Sequence, residues 1–208
     1  FNAEHMRLLH RAARLVAQGK VLIYPTETLY ALGANALDSR AVDRLGKIKG
    51  RSPDKPLPVI IGSMAQLHAV CREVSAEISE LARFFWPGPL SIVVPAHERL
   101  SPQTRDASGW TSVRWSSHPL AQELCIQSGG PLVGTSANPA GGLPVSRPEQ
   151  LDPRLVRDVD LVLDFPPYPQ GGPPSTVVRV VGPQKVHILR SGAVVQAQLQ
   201  AAGWELSG

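Results

Sequence analysis

The sequence predicts an α/β fold: one domain, residues 1–208, built on a twisted, open, mixed sheet with helices on its faces. Three observations predict it. Short apolar runs of strand length alternate with amphipathic stretches of helical period, without strict strand–helix–strand regularity. A chain of 208 residues suits a single core that needs no staples. No internal repeat or heptad seam is present. The core is expected over about residues 8–195, with a short C-terminal tail after Gly203.

The elements follow in order. Asn2 caps a helix whose apolar face is Met6, Leu8, Leu9, Ala12, Leu15 and Val16, and Gly19 stops it. Lys20 to Tyr24 reads as a buried strand that runs into a polar turn, Pro25 to Thr28. A second helix fits Asp38 to Lys49, with Ala41, Val42, Leu45 and Ile48 at helical spacing. Gly50 to Pro56 is a loop by composition. Leu57 to Ile61 is a short strand, and Pro58 puts it near an edge. Helices cover Met64–Val70 and Ser75–Phe85, the latter broken by Trp86-Pro-Gly-Pro89. Leu90–Val94 and Thr111–Trp115 are strands, His118–Gln127 is a helix, and Leu132–Gly134 is a strand that delivers Thr135 to Asn138 to a loop. After two Gly/Pro-rich loops flanking a strand at Leu161–Asp164, Thr176–Val181 and Lys185–Leu189 form a hairpin. A last helix covers about Ala193 to Ala202.

Composition narrows the function. Hydrophobic residues make up 43% of the chain, so it is not disordered by composition. No apolar run approaches the roughly 20 residues that span a bilayer, so no membrane partner is expected. The first 19 residues read as a charged amphipathic helix, not a signal peptide, and a cytoplasmic location is expected. Cys71 and Cys125 form no C-x-x-C pair and read as buried reduced thiols. A net charge of +4 fits an anionic substrate or an RNA contact, and equally a solvated basic surface.

Three segments carry candidate chemistry. Lys49-Gly-Arg-Ser-Pro-Asp-Lys55 sends three cations from a helix end into a loop, as a polyphosphate needs. Taken alone it is also an ordinary basic loop whose lysines favour a helix C-terminus. Gly134-Thr-Ser-Ala-Asn138 follows a strand and offers hydroxyls and an amide, or simply a Ser/Asn turn. Tyr24-Pro-Thr-Glu-Thr28 also leaves a strand, and Glu27 is open to being a base, a magnesium ligand or part of a capped turn. His118 next to Arg114 reads as a helix-start or packing residue. G-x-x-x-x-G-K-[ST], G-x-G-x-x-G and G-x-S-x-G are absent, as is metal-ligand spacing.

Together these segments resemble the YrdC family of threonylcarbamoyl-AMP synthases. The matching residues, in the family's order, are Tyr24-Pro-Thr-Glu-Thr28 with Gly33, Lys49-Gly-Arg51 with Lys55-Pro-Leu57, and Phe85-Trp-Pro-Gly-Pro-Leu90. Val113-Arg114 with His118-Pro119, Pro131-Leu132, Ser136-Ala-Asn138, Ser175-Thr-Val177 and Ile188-Leu-Arg190 with Gly192-Ala193 follow. The resemblance implies an open twisted sheet with a basic concave cleft. It implies a nucleotidyltransferase that joins L-threonine, bicarbonate and ATP into threonylcarbamoyl-AMP and pyrophosphate. Proteins that transfer the carbamoyl group to tRNA would be partners downstream, with direct tRNA contact possible. By the same resemblance Lys49, Arg51, Ser136 and Asn138 are the catalytic set, and Lys55 and Arg190 join them around ATP. Thr26, Arg114 and Ser175 would hold threonine, with Arg114 on its carboxylate. Magnesium would be held by the phosphates, not by protein side chains.

The chain departs from the family pattern at four places. Ala31 stands where the pattern has Gly, Ala140 where it has Ser, Arg179 where it has Asp and Ser191 where it has Pro. Two alternatives remain: a non-catalytic RNA-binding module, or a carbamoyl-phosphate-using domain like that of hydrogenase-maturation proteins. The latter chains carry zinc-finger and acylphosphatase regions that this sequence lacks.

Overall fold

The computed structural model describes residues 1–51 and 55–207. Ser52 to Asp54, in the middle of the expected basic loop, lie outside them. Helix α1 (Ala3–Ala17) starts where the Asn2 side chain accepts a hydrogen bond from the His5 amide at 2.8 Å. It leads into a hairpin of β1 (Leu22–Pro25) and β2 (Tyr30–Gly33). Helix α2 (Ser39–Lys49) is capped by Asp38 and ends on Gly50, whose φ of 65° is the left-handed C-cap that favours glycine. β3 (Val59–Ile61), α3 (Leu67–Val70), α4 (Ala76–Phe85), β4 (Leu90–Pro95), β5 (Trp110–Trp115) and α5 (Pro119–Gln127) follow. Then come β6 (Leu132–Val133), β7 (Thr135–Ser136), α6 (Pro153–Asp158), β8 (Leu161–Val162), β9 (Thr176–Gly182), β10 (Lys185–Arg190), α7 (Gln196–Ala201) and β11 (Glu205–Ser207).

The mixed α/β architecture is as expected, but its strands divide between two sheets. Four form one sheet in the order β7-β2-β1-β8, and seven form the other in the order β11-β10-β9-β4-β5-β3-β6. The chain crosses between them at Gly134. A Cβ there would sit 2.4 Å from Ile60 Cδ1, so only glycine fits the corner. One apolar core gathers Val42, Leu45, Val59, Leu81, Ile92 and Val113. A second packs α1 and α5 against the sheets through Leu9, Val16, Tyr24, Leu120 and Leu124.

Several expectations need correction. β3 lies between β5 and β6, not at an edge: Pro58 precedes the strand, so its missing amide costs the ladder nothing, and its carbonyl accepts from Gly134 at 2.9 Å. Residues 30–33 form a strand because the turn at Thr26–Leu29 folds them back on β1. Thr135 and Ser136 pair with Leu32 and Ala31 instead of looping free. The Met64–Val70 helix is a 3-10 turn followed by one α turn. The residues after Gly203 extend the large sheet as β11, parallel to β10. Helix α6 carried no periodic signal over its six residues. The hairpin at β9 and β10 is present as expected, with Gln184 at φ 48° in its turn.

Candidate active site

A cleft of about 320 Å³ opens where the two sheets diverge beside Gly134. Its walls come from β2, β7 and the chain after β1 on one side, and from β4, β5, β9 and β10 on the other. Thr26, Arg51, Arg114, Ser136, Ser175 and Arg190, all expected at the site, line it.

Three guanidinium groups define its charge. Arg51 follows the α2 cap and donates to the Lys55 and Pro56 carbonyls at 2.8 and 2.7 Å. Arg190, the last residue of β10, clamps Ser175 by donating to its carbonyl at 2.8 Å and its hydroxyl at 3.1 Å. Gly192 permits this turn, since a Cβ on it would meet the Pro174 carbonyl at 2.2 Å. Arg114 rises from β5 and is buried. Burial lowers the proton affinity of all three, and the Arg190 charge lowers Arg51 and Arg114 further, taking Arg114 to about 10. Arginines gathered in a half-dry cleft, each disfavoured as a lone charge, make a site for a polyanion.

Arg114 is held by Glu27. One carboxylate oxygen meets the guanidinium, and the other accepts from the Ser116 hydroxyl. Glu27 is therefore engaged in orienting a cation. Ser116 Oγ accepts in turn from the His118 amide at 3.2 Å. His118 caps α5 through Nδ1, and Nε2–H donates to the Pro167 carbonyl at 2.9 Å. Burial pushes it down to about 4, so it is a neutral helix-start residue.

Lys49, Asn138 and Lys55 are placed differently from the expectation. Lys49 does not line the cleft. Its ammonium is buried behind the wall and donates to the Ser136 and Asn138 carbonyls at 2.7 and 2.9 Å. Burial, and then the Arg51 charge, bring its pKa to about 8. Asn138 also stays behind the wall, where its amide donates to the carbonyls of Pro139 and Gly142 at 2.9 and 2.7 Å. The pair fixes the segment that carries Ser136. Lys55 is exposed and borders a neighbouring hollow with Lys47, Arg51 and Gln103.

The sequence reading missed three hydroxyls of the lining. Ser91 shares a 2.9 Å hydrogen bond with Ser175, while Ser112 Oγ and the Tyr30 hydroxyl are buried with no partner among the described residues. Ser112 was within reach of the strand period, because it stands two residues from Arg114 and shares its face. Thr26 is spent partly on its own turn, donating to the Leu29 carbonyl at 2.7 Å. Both cysteines are buried and free. Among the described residues no group of three or more His, Cys, Asp or Glu is clustered to hold a metal, and no helix is long and apolar enough to cross a membrane.

The Sua5/YciO/YrdC family model, described as "Telomere recombination", matches residues 14–192. A relative from Pyrococcus abyssi named threonylcarbamoyl-AMP synthase is 32% identical over 196 residues, covering 85% of this chain and 58% of the relative. One of the same name from Stenotrophomonas maltophilia is 37% identical over 158 residues, covering 75% of this chain and 85% of the relative. The crystal structure of P. abyssi Sua5 complexed with L-threonine superposes with a TM-score of 0.88 at 29% identity, covering 100% of this chain and 61% of that one. This chain thus spans little more than half the length of the archaeal relative.

Proposed function

The chain belongs to the Sua5/YciO/YrdC family, and from that premise we propose that it makes threonylcarbamoyl-AMP from L-threonine, bicarbonate and ATP, releasing pyrophosphate. The observation that carries this reading is the convergence of Arg51, Arg114 and Arg190 on one hydroxyl-lined cleft. The names of the relatives, and the threonine bound by the P. abyssi protein, support it. The product would feed tRNA modification in the cytoplasm through proteins that transfer the carbamoyl group.

The reaction needs little covalent help. The threonine amine adds to bicarbonate with loss of water, giving a carbamate. A carbamate oxygen attacks the α-phosphate of ATP, and the bond to pyrophosphate breaks. Positioning and charge neutralisation dominate such a step, which suits a lining of arginines and hydroxyls. Arg51 and Arg190 take the polyphosphate, with Ser136 on the nucleotide. Arg114, already oriented by Glu27, takes the threonine carboxylate, with Thr26 and Ser175 beside it. Lys49 and Asn138 act from behind the wall by holding Ser136 in place. Magnesium would enter with ATP as part of the substrate, held by its phosphates.

Pyrophosphate release measured on the purified chain tests the proposal. It should require both threonine and bicarbonate, with threonylcarbamoyl-AMP as the co-product. Release that ignores threonine rejects the assignment. Arg51→Ala should lower turnover at least a hundredfold while the fold, read by circular dichroism, is kept; a near-normal rate removes Arg51 from the phosphate site.

A further inference from the structure

The sheet face that carries Arg114 continues beyond the cleft. Side chains alternate along a strand, so Arg114, Ser112 and Trp110 of β5 share one face. Ser112 stands opposite Val93 on β4, and Val93 opposite Arg179 on β9, which puts Arg179 on that face as well. Arg179 reaches across β4 and lays its guanidinium over the Trp110 indole, with Cζ 4.0 Å from the ring centroid. Both residues are half-exposed. At ~3.3 Å per residue, Trp110 lies about 13 Å along the strand from Arg114. Between the two ends sits Ser112, whose buried hydroxyl has no partner among the described residues and faces the cleft; such a group calls for a ligand or water. Arg179 is also one of the four positions at which the chain departs from its family's pattern.

This sheet face therefore has a cationic end in the cleft and a stacked aromatic end beyond it, with the Ser112 hydroxyl between them. We propose that the Trp110–Arg179 pair is a stacking platform for the purine base of the nucleotide whose phosphates meet Arg51 and Arg190. This rests on the synthase reading above. An indole presents a broad π face that any base can stack on. A guanidinium fixed against that indole holds the ring flat and adds a second planar, cationic surface. The aspartate of the family pattern offers neither surface, and its charge would repel a nucleotide.

Calorimetric titration of the purified chain with MgATP and, separately, with inorganic tripolyphosphate separates the base from the phosphates. Trp110→Ala should weaken ATP about tenfold or more and leave tripolyphosphate within about twofold, while Trp110→Phe stays close to the parent. Arg179→Lys keeps the charge but loses the planar stack, so it should weaken ATP a few-fold and spare tripolyphosphate. Unchanged ATP affinity in both Trp110→Ala and Arg179→Lys, or equal losses for ATP and tripolyphosphate, would overturn the platform. Should Trp110→Ala fail to fold, Trp110→Leu against Trp110→Phe gives the same contrast of apolar bulk with and without a π face. Turnover of the parent chain is read alongside. If it does not depend on threonine and bicarbonate, the synthase reading fails; if it does, and Trp110→Ala binds ATP normally, the platform alone fails.

Discussion

Arg114 and Arg44 each meet one carboxylate, Glu27 beside the cleft and Asp160 at the outer margin of the small sheet. The cleft pair has side chains only 8% and 12% exposed, against 40% and 22% for the outer pair. Asp160 also accepts from the Val21 amide at 2.9 Å, and Arg44 donates to the Asp158 carbonyl at 3.0 Å, so the outer pair ties α2 to the segment entering β8. Burial pushes Asp160 up, but Arg44 and the Val21 amide outweigh it and leave the carboxyl below its usual range. Water screens such a pair, which contributes little. In the cleft, desolvating two charges costs as much as their attraction returns unless further hydrogen bonds are made, and Ser116 supplies one. The difference teaches what the buried pair is for. It keeps a cation at a place where, unpartnered, it would not be stable, and so presents that cation to the cleft in a fixed pose.

The comparison can be broken at three points. Glu27→Ala leaves Arg114 buried without its partner and should cost about 3–5 kcal/mol in denaturant unfolding; a loss below about 1 kcal/mol would make the two pairs equivalent. Lys49 extends the contrast, being a buried cation with carbonyl partners and, among the described residues, no carboxylate. Its folded pKa of about 8 lies below the ordinary 10.5, so between these values the unfolded chain binds more protons and stability rises with pH. From pH 8 to 10.5 the parent should gain up to about 3 kcal/mol relative to Lys49→Met. A pH-independent difference would place the ammonium in water. The smallest effect belongs to the outer pair: Asp160→Asn should cost about 1 kcal/mol or less, and less still at 1 M salt. A loss matching that of Glu27→Ala would erase the distinction.

Much of this was legible in the sequence, for reasons that differ by element. Helices α1, α2, α4 and α5 carry side-chain caps at Asn2, Asp38, Ser75 and His118, and local signals suffice for them. The division into two sheets was not legible, because β6, β7 and β8 have only two residues each and pair with distant partners. Leu22 against Leu161 is such a pairing, and no local pattern encodes it. At the site, Arg51, Arg114 and Arg190 line the cleft as expected, whereas Lys49 does not. Its direction was encoded all the same. Ala41, Leu45 and Lys49 stand four residues apart on the buried face of α2, so the lysine continues an apolar row and points inward. Motif matching treats Lys49 and Arg51 as equals; helical geometry separates them.

The cleft is also stitched from remote parts of the chain. Ser91 bonds Ser175 across 84 residues, and Glu27 reaches Arg114 across 87. A ribosome releases the chain from its N-terminus at about 5–20 residues per second. The small sheet must wait for β7 and β8, and the large sheet holds a gap beside β4 until β9 emerges. Arg190 arrives only with the closing strand of that hairpin. A nascent chain therefore has helices and part of a sheet well before it has an arginine-lined cleft, which is completed only when the β9–β10 hairpin docks.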